Sequence, residues 1–328
     1  MKQVLKRILP NCVFRYVRSI SAASKLLREY AYWFNFDLHQ SSLFYTEKSA
    51  LANLMITSHV LEKGITMPER RLGFGYERVR EIIKMNNSAI KKFSEDHIEI
   101  QLSLKDLEQY LQIHESAGFK LPKDIVNGIK NLLRYKQIDT IECFESTPDD
   151  LFKKTNDFNE FAHSRHTVRW YSEKPVDNDL LLKAIELAQT APSACNRQST
   201  KVYIIETKEI KDEVVKLQNG NRGFGHLADK WLLITSDMKF WSYRSRTSAY
   251  LDAGIFTMNL LNALHYYKIA ACTLNAHLTV GKLKQLRAIV NYSKSEMPIV
   301  FISIGMAPEH FMVAGSQRIE PDKIYKFV

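Results

Sequence analysis

The feature that most constrains this chain is a change of periodicity near residue 150. Upstream, apolar residues recur at intervals of three and four, as in Ile20, Ala23, Leu26, Leu27, Tyr30 and Ala31, and again in Leu51, Leu54, Met55, His59 and Leu61. That spacing gathers them on one face of an α-helix. Gly or Pro interrupts the pattern at 64–68, 72–75 and 118–122, where helices are expected to stop. Downstream of about residue 157, short strand-like runs at 202–206, 231–235 and 299–304 alternate with helix-length stretches at 178–190, 248–267 and 280–290. The polar sequence Ser146, Thr147, Pro148, Asp149, Asp150 suits a linker or a helix start. The pattern predicts an all-α domain over 1–150 and a domain of mixed α and β structure over 151–328.

Composition narrows the function classes. The 328 residues are 45% hydrophobic and 25% charged, which is ordinary globular usage. No run approaches the roughly 18 apolar residues of a bilayer-spanning helix, and Asn11, Arg15 and Arg18 interrupt the apolar stretch that an export signal would need. Cys12, Cys143, Cys195 and Cys272 are widely spaced, so neither a disulfide framework nor a cysteine zinc site is expected. A reducing, cytoplasmic setting follows. The net charge of +10 is uneven: residues 1–28 carry seven Lys or Arg and no acid. A basic helix of this kind suits a solvated face or weak contact with an anionic membrane surface; no nucleic-acid partner is expected.

Three segments carry candidate chemistry. Arg165, His166, Thr167 and Arg169 put two guanidinium groups and a hydroxyl within five residues, just ahead of an expected helix; such donors suit a phosphate. Pro192, Ser193, Asn196 and Gln198 form a loop whose two carboxamides each offer a donor and an acceptor, matching the edge of a polar heterocycle. A long helix with small residues at 249, 253 and 254 leads to the run from Cys272 to Asn275 and Ala276. In the first half His59 and Glu62 stand three apart on one helix face, a spacing open to proton transfer or half of a metal site, and equally to packing or capping. The Gly-rich stretch 219–225 lacks the Gly-Lys-Ser/Thr ending of a P-loop and reads as a loop. Tyr243, Arg244 and Arg246 suit the approach to a site.

The order of these segments resembles the flavin-dependent nitroreductase family over residues 158–328. The resemblance implies a nitroreductase-like α+β fold, a mixed sheet flanked by helices, here preceded by the all-α region. It implies FMN as cofactor, with Arg165 and Thr167 at the phosphate and ribityl chain, His166 between them, and Arg169 near the N1/O2 edge of the ring. Pro192, Ser193, Asn196 and Gln198 match the family's Pro-Ser-x-x-Asn-x-Gln element, although Ser199 and Thr200 replace the usual Pro-Trp. Backbone amides of Asn275 and Ala276 would meet the N5/O4 side, and Arg318 would return to the phosphate, with Ser316 where a Lys often stands. The segment 59–75 is similar to one that precedes the flavin domain in some nitroreductase-like proteins of surface-polysaccharide gene clusters.

The resemblance implies a homodimer in which Pro192 and Ser193 approach the other chain's FMN. It also implies NAD(P)H as hydride donor and a ping-pong reaction with a small-molecule second substrate. No protein residue is expected to serve as a dedicated catalytic group and no metal is expected, because a flavin carries the redox step itself. Two alternatives stay open. One is a flavin-dependent dehydrogenase of a biosynthetic intermediate. The other is a non-enzymatic protein whose helical half docks a partner or membrane.

Overall fold

The computed structural model describes residues 47–138, 142–153, 155–241 and 245–328, together with Val13, Ile20, Ala23 and Leu27. Apart from those four positions, the basic segment 1–28 lies outside the described residues, as do the rest of the helical pattern at 20–31 and the candidates Tyr243 and Arg244.

Over residues 47–138 there are four helices: α1 (Glu47–Ile65), α2 (Tyr76–Lys92), α3 (Ile98–Ser116) and α4 (Lys123–Leu133). The end of α1, the start of α2 and the α3–α4 junction fall at the expected breaks, whereas the stop between Lys92 and Ile98 carries no Gly or Pro and was not expected. Gly73 and Gly75 adopt φ of 74° and 69° in the turn between α1 and α2, a conformation in which a side chain is costly. That turn is fastened to α3, because Tyr110 Oη donates to Phe74 O at 2.7 Å and Gly73 N donates to His114 Nε2 at 2.9 Å. Leu54, Leu61, Ile65, Val79, Ile82, Ile100, Leu104, Leu107, Ile125 and Ile129 close over one another as a shared core. Within it, Ser103 Oγ donates to Asn86 Oδ1 at 2.8 Å, so this buried carboxamide is satisfied.

Two short strands tie this bundle to the end of the chain. β1 (Phe144–Ser146) is followed by the single-turn α5 (Pro148–Leu151) and by α6 (Phe158–Ser164). β1 pairs antiparallel with β6 (Phe311–Val313), Phe144 opposite Val313 and Ser146 opposite Phe311. Met312 packs on the helical core, while Phe311 and Val313 belong to the core beneath the sheet. Alternation along one strand thus serves two cores.

The main sheet contains β2 (Thr200–Ile205), β3 (Lys230–Asp237), β4 (Ala270–Asn275) and β5 (Glu296–Gly305) in the order β2-β3-β5-β4. All three described ladders are antiparallel. Central strand β3 is buried on both faces, and its period-two pattern divides the cores. Trp231 and Leu233 join Phe301 on one face, with Val214 of α8 (Lys208–Leu217) and Leu286 of α10 (Val280–Val290). Leu232 and Ile234 join Ile302 and Ile304 on the other, beneath α7 (Asn178–Ala188) and α9 (Arg246–Tyr266). This is the expected α+β architecture of helices on both faces of a sheet, preceded by helices.

Three local expectations are corrected. The Arg165 cluster follows a helix instead of preceding one: α6 ends at Ser164, Arg165 is its C-terminal cap, and the next helix starts only at Asn178. Met55 and His59 leave the buried stripe of α1, whose face against the bundle is formed by Leu51, Leu54, Leu61 and Ile65 together with the buried Thr57 and Ser58. On α9, Ala249 and Ala253 are buried, but the place of a side chain at Gly254 is open space, so close packing does not require that glycine.

Replacing Leu104, fully buried in the helical core, with Ala should cost about 2–5 kcal/mol of stability through lost burial and the cavity left behind, read as a lowered urea midpoint.

Candidate functional site

The segment after α6 is laid along the sheet by backbone bonds that leave its charged side chains little choice of direction. Val168 N donates to Ala271 O at 3.0 Å, and Ser172 N to Met306 O at 2.8 Å. Tyr171 Oη donates to Val168 O at 3.0 Å and lies 2.9 Å from Ser303 Oγ. Gly305 makes room for that ring, since a Cβ there would stand 2.7 Å from Tyr171. Held between Val168 and Tyr171, Arg169 is only 8% exposed, and its Nε has no hydrogen-bond partner. A buried donor in that condition costs free energy unless something fills the space beside it.

Arg169 lines a cavity of about 460 Å³ whose walls come from both halves of the protein. One wall is the end of β4, from Cys272 to Asn275, with Asn219 and Gly220. The facing wall is α1, through Met55, Ile56, His59, Val60 and Lys63. Lys63 Nζ donates to Gly220 O at 2.7 Å, which fixes the 219–225 loop against α1. Burial pulls the Lys63 ammonium below its ordinary range and Arg169 adds to the shift; burial pushes the Cys272 thiol up.

A smaller cavity of about 290 Å³ adjoins it, sharing Met55 and His59, and is lined further by Ser58, Glu62, Leu102, Asp106, Ser316, Gln317 and Arg318. Arg318 Nη1 donates to Ser316 O at 2.5 Å. Arg165 is depressed first by burial and then by the positive charge of Arg318, so the two guanidinium groups feel one another across the fold although 153 positions separate them. No ion pair to Arg165 or Arg318 occurs among the described residues. Near Arg165, His265 Nε2 lies 2.8 Å from Ser164 Oγ, and burial, with the charges of Arg165 and His166, lowers the His265 pKa to about 4; it is neutral at pH 7 and adds no competing charge.

Glu62 brings a carboxylate into this basic region, with Asp106 also on the wall of the smaller cavity. Glu62 Oε2 lies 3.0 Å from His59 Nδ1, and Glu62 Oε1 accepts from Ser316 N at 2.9 Å. Burial alone would raise its pKa, but these bonds and the charge of Arg169 outweigh it and hold Glu62 below its ordinary range. Ser316 has φ of 45°, a left-handed turn that costs a non-glycine residue energy, and Glu62 braces it.

The structure therefore puts Arg169, Asn275 and Arg318 on the walls of adjoining cavities, with Arg165, which lines neither, within electrostatic reach of Arg318. His166 lies in the same segment, its Nδ1 3.0 Å from Ser164 O and its ring edge-on to Phe144; Thr167 is half-buried beside it, and Ala276 packs on the sheet core. The other cluster is elsewhere. Pro192, Ser193 and Gln198 line a separate cavity of about 540 Å³ that shares no residue with the first two. There Gln198 Nε2 donates to Asn196 Oδ1 at 3.0 Å, and Ala194 N donates to Asp252 Oδ2 at 2.9 Å. Cys195, Asn196 and Gln198 have φ of 55°, 53° and 51°, a concentration of left-handed backbone that marks a constrained loop.

Sequence reasoning missed Lys63, Asn219 and Gly220 as wall residues, because an isolated Lys and a loop carry no spacing signal. The His59–Glu62 spacing was the available signal for the α1 wall.

Residues 162–221 match the model of the nitroreductase family. That span contains both the Arg165–Arg169 segment and the 192–198 loop. Among curated proteins, an iodotyrosine deiodinase of Haliscomenobacter hydrossis is 22% identical over 200 residues, covering 52% of this chain and 88% of that protein. A protein of Archaeoglobus fulgidus, provisionally named NADH dehydrogenase/NAD(P)H nitroreductase, is 22% identical over 168 residues, covering 50% of this chain and 94% of its own length. A solved nitroreductase family protein of Streptococcus pneumoniae is 21% identical with a TM-score of 0.45, covering 52% of this chain and all of that one.

The smaller cavity also yields a stability test. Ser58 Oγ donates to Asp106 Oδ2 at 2.5 Å, but burial dominates and pushes the Asp106 carboxyl up to about 8, Glu62 reinforcing it. Between about pH 4 and 8 the folded chain keeps a proton that the unfolded chain has released, so rising pH must lower stability, by at most about 1.4 kcal/mol per pH unit from this group. Asp106→Asn should lack this component when urea midpoints of both proteins are followed from pH 5 to 8.

Proposed function

We propose that this chain is an FMN-dependent oxidoreductase that takes a hydride from NAD(P)H and passes reducing equivalents to a small-molecule second substrate in a ping-pong sequence. The observation that carries the reading is the placing of Arg169 and Arg318 on adjoining cavities, with Arg165 close enough to feel the charge of Arg318. The buried Nε of Arg169 is left without a partner there.

The residues fit the cofactor. A phosphate of nearly two negative charges suits a pair of like-charged guanidiniums with no carboxylate of their own, and a buried, unpaired donor suits the electron-rich edge of a flavin ring. Arg165, Thr167 and Arg318 would hold the phosphate and ribityl chain, and Arg169 the ring edge. Asn275 and Ala276 would meet the opposite side. When bound, FMN supplies the redox centre that both substrates use in turn. The chain's own residues bind and orient it, while Val60, Ile56 and Met55 narrow the water-facing side.

The family match over 162–221 and the names of the curated relatives support an oxidoreductase. The separate cavity at Pro192, Ser193 and Gln198 supports a homodimer in which that loop, with Asn196, serves the other chain's cofactor. The exposed apolar face of α9, Tyr250, Leu251 and Met258, is available for such a contact. We further propose that the chain divides into a helical and a cofactor domain near residue 150 and works in the cytoplasm. No helix among the described residues is long and apolar enough to cross a membrane.

Protein purified and desalted should show flavin absorbance and release FMN on denaturation. Arg165→Ala and Arg318→Ala should each weaken FMN binding by roughly 1.5–3 kcal/mol, about 10- to 150-fold in Kd, while riboflavin, which has no phosphate, binds the variants and the parent alike. Unchanged FMN affinity in both variants would refute the phosphate assignment.

A further inference from the structure

The helical half has no role in the reading above beyond forming a wall, yet it places an ionisable group at the seam. Among the described residues, Met55 and His59 alone line both the larger cavity against Arg169 and the smaller one against Arg318. We propose that His59, oriented by Glu62, donates the proton that the second substrate needs when it is reduced; this rests on the oxidoreductase reading.

The argument begins with position on α1. Leu54 and Leu61 face the bundle and are buried, whereas Ile56, His59 and Lys63 recur at three and four residues on the cavity side. The His59 side chain is 50% exposed, so it is not a core histidine. Its Nδ1 is engaged by Glu62 at 3.0 Å, and Glu62 is itself anchored by Ser316 N. A carboxylate on Nδ1 fixes the ring's orientation and leaves Nε2 as the second protonation site. The arrangement matches a general acid held by an orienting group.

Other wall residues serve this purpose less well. Arg169 keeps its proton at any working pH, and Asn219, Thr273 and Asn275 are not acids. Cys272 is buried with its thiol pushed up. Lys63 is committed to Gly220 O at 2.7 Å and lies over the Phe224 ring. The charged groups around His59 are Glu62, Lys63, Arg169 and Arg318, together with Asp106 across the smaller cavity.

The acceptor class follows from the chemistry. A polarised double bond, as in a quinone or conjugated carbonyl, takes up a hydride that originates on the dihydronicotinamide and reaches it through the cofactor. The displaced π electron pair takes a proton from Nε2 of the His59 imidazolium. The substrate gains two electrons and two hydrogens, the nicotinamide is oxidised by two electrons, and neutral His59 is reprotonated by solvent.

The test uses the full chain loaded with FMN, reduced anaerobically with NAD(P)H and mixed rapidly with either menadione, which takes up electrons and protons, or ferricyanide, which takes up electrons alone. In His59→Asn the ratio of the menadione rate to the ferricyanide rate should fall about 10- to 100-fold, and His59→Gln should behave alike. A ratio within twofold of the parent overturns the proposal, including the case in which both rates fall together through a structural effect. Independently of turnover, adding FMN to the unloaded protein should shift the His59 ring resonances, assigned by their loss in His59→Asn; unmoved resonances overturn it as well. A chain that binds no FMN removes the oxidoreductase reading and this inference with it, whereas FMN binding with an unchanged ratio removes the inference alone.

Discussion

A guanidinium buried to the extent of Arg169 sets terms for everything around it. Its charge has to be balanced and its donors occupied, and taking such a group out of water without compensation is expensive. The protein meets part of that demand from a distant piece of chain, since Glu62 on α1 contributes negative charge. Among the described residues its Nε has no acceptor. The charge of Arg169, carried by the sheet half, is thus partly balanced by a residue of α1.

Glu62 works in three directions at once. It lowers the cost of Arg169, holds His59 by one ring nitrogen and caps the amide of a left-handed Ser316 two positions from Arg318. The turn that carries Arg318 is thus braced by the helical half, through a bond between residues 254 positions apart.

Local pattern made much of this legible and long-range pairing made the rest opaque. Leu54, Leu61, Trp231 and Ile302 announce themselves because burial on one helix face or one sheet face imposes a period on the sequence. The arginines at 165 and 169 were readable for a related reason, being dense in charge over a short span. His59 illustrates the limit. It fits the α1 stripe by spacing, yet it lies outside the buried face, and only the approach of distant segments, 316–318 on one side and 272–275 with Asn219 and Gly220 on the other, makes its surroundings cavities. The place of the Arg165 segment after a helix was missed because Asp157, which caps α6 through the amides of Asn159 and Glu160, opens a helix too short to show a period. Nor does spacing reveal that the 192–198 loop lines a different cavity from Arg169, since that depends on how α7 and α9 stack.

The β1–β6 ribbon gives the chain a topological debt. β6 lies near the C-terminal end of the described chain and takes its partner from residues 144–146, ahead of every strand of the main sheet. A fragment starting after the helical half would carry β6 with a bare row of amides and carbonyls beside the exposed flank of Met312, the sort of edge that recruits strands from neighbouring molecules. The sheet-bearing half is accordingly a poor candidate for excision, because its β6 edge is covered by three residues that precede every strand of the main sheet.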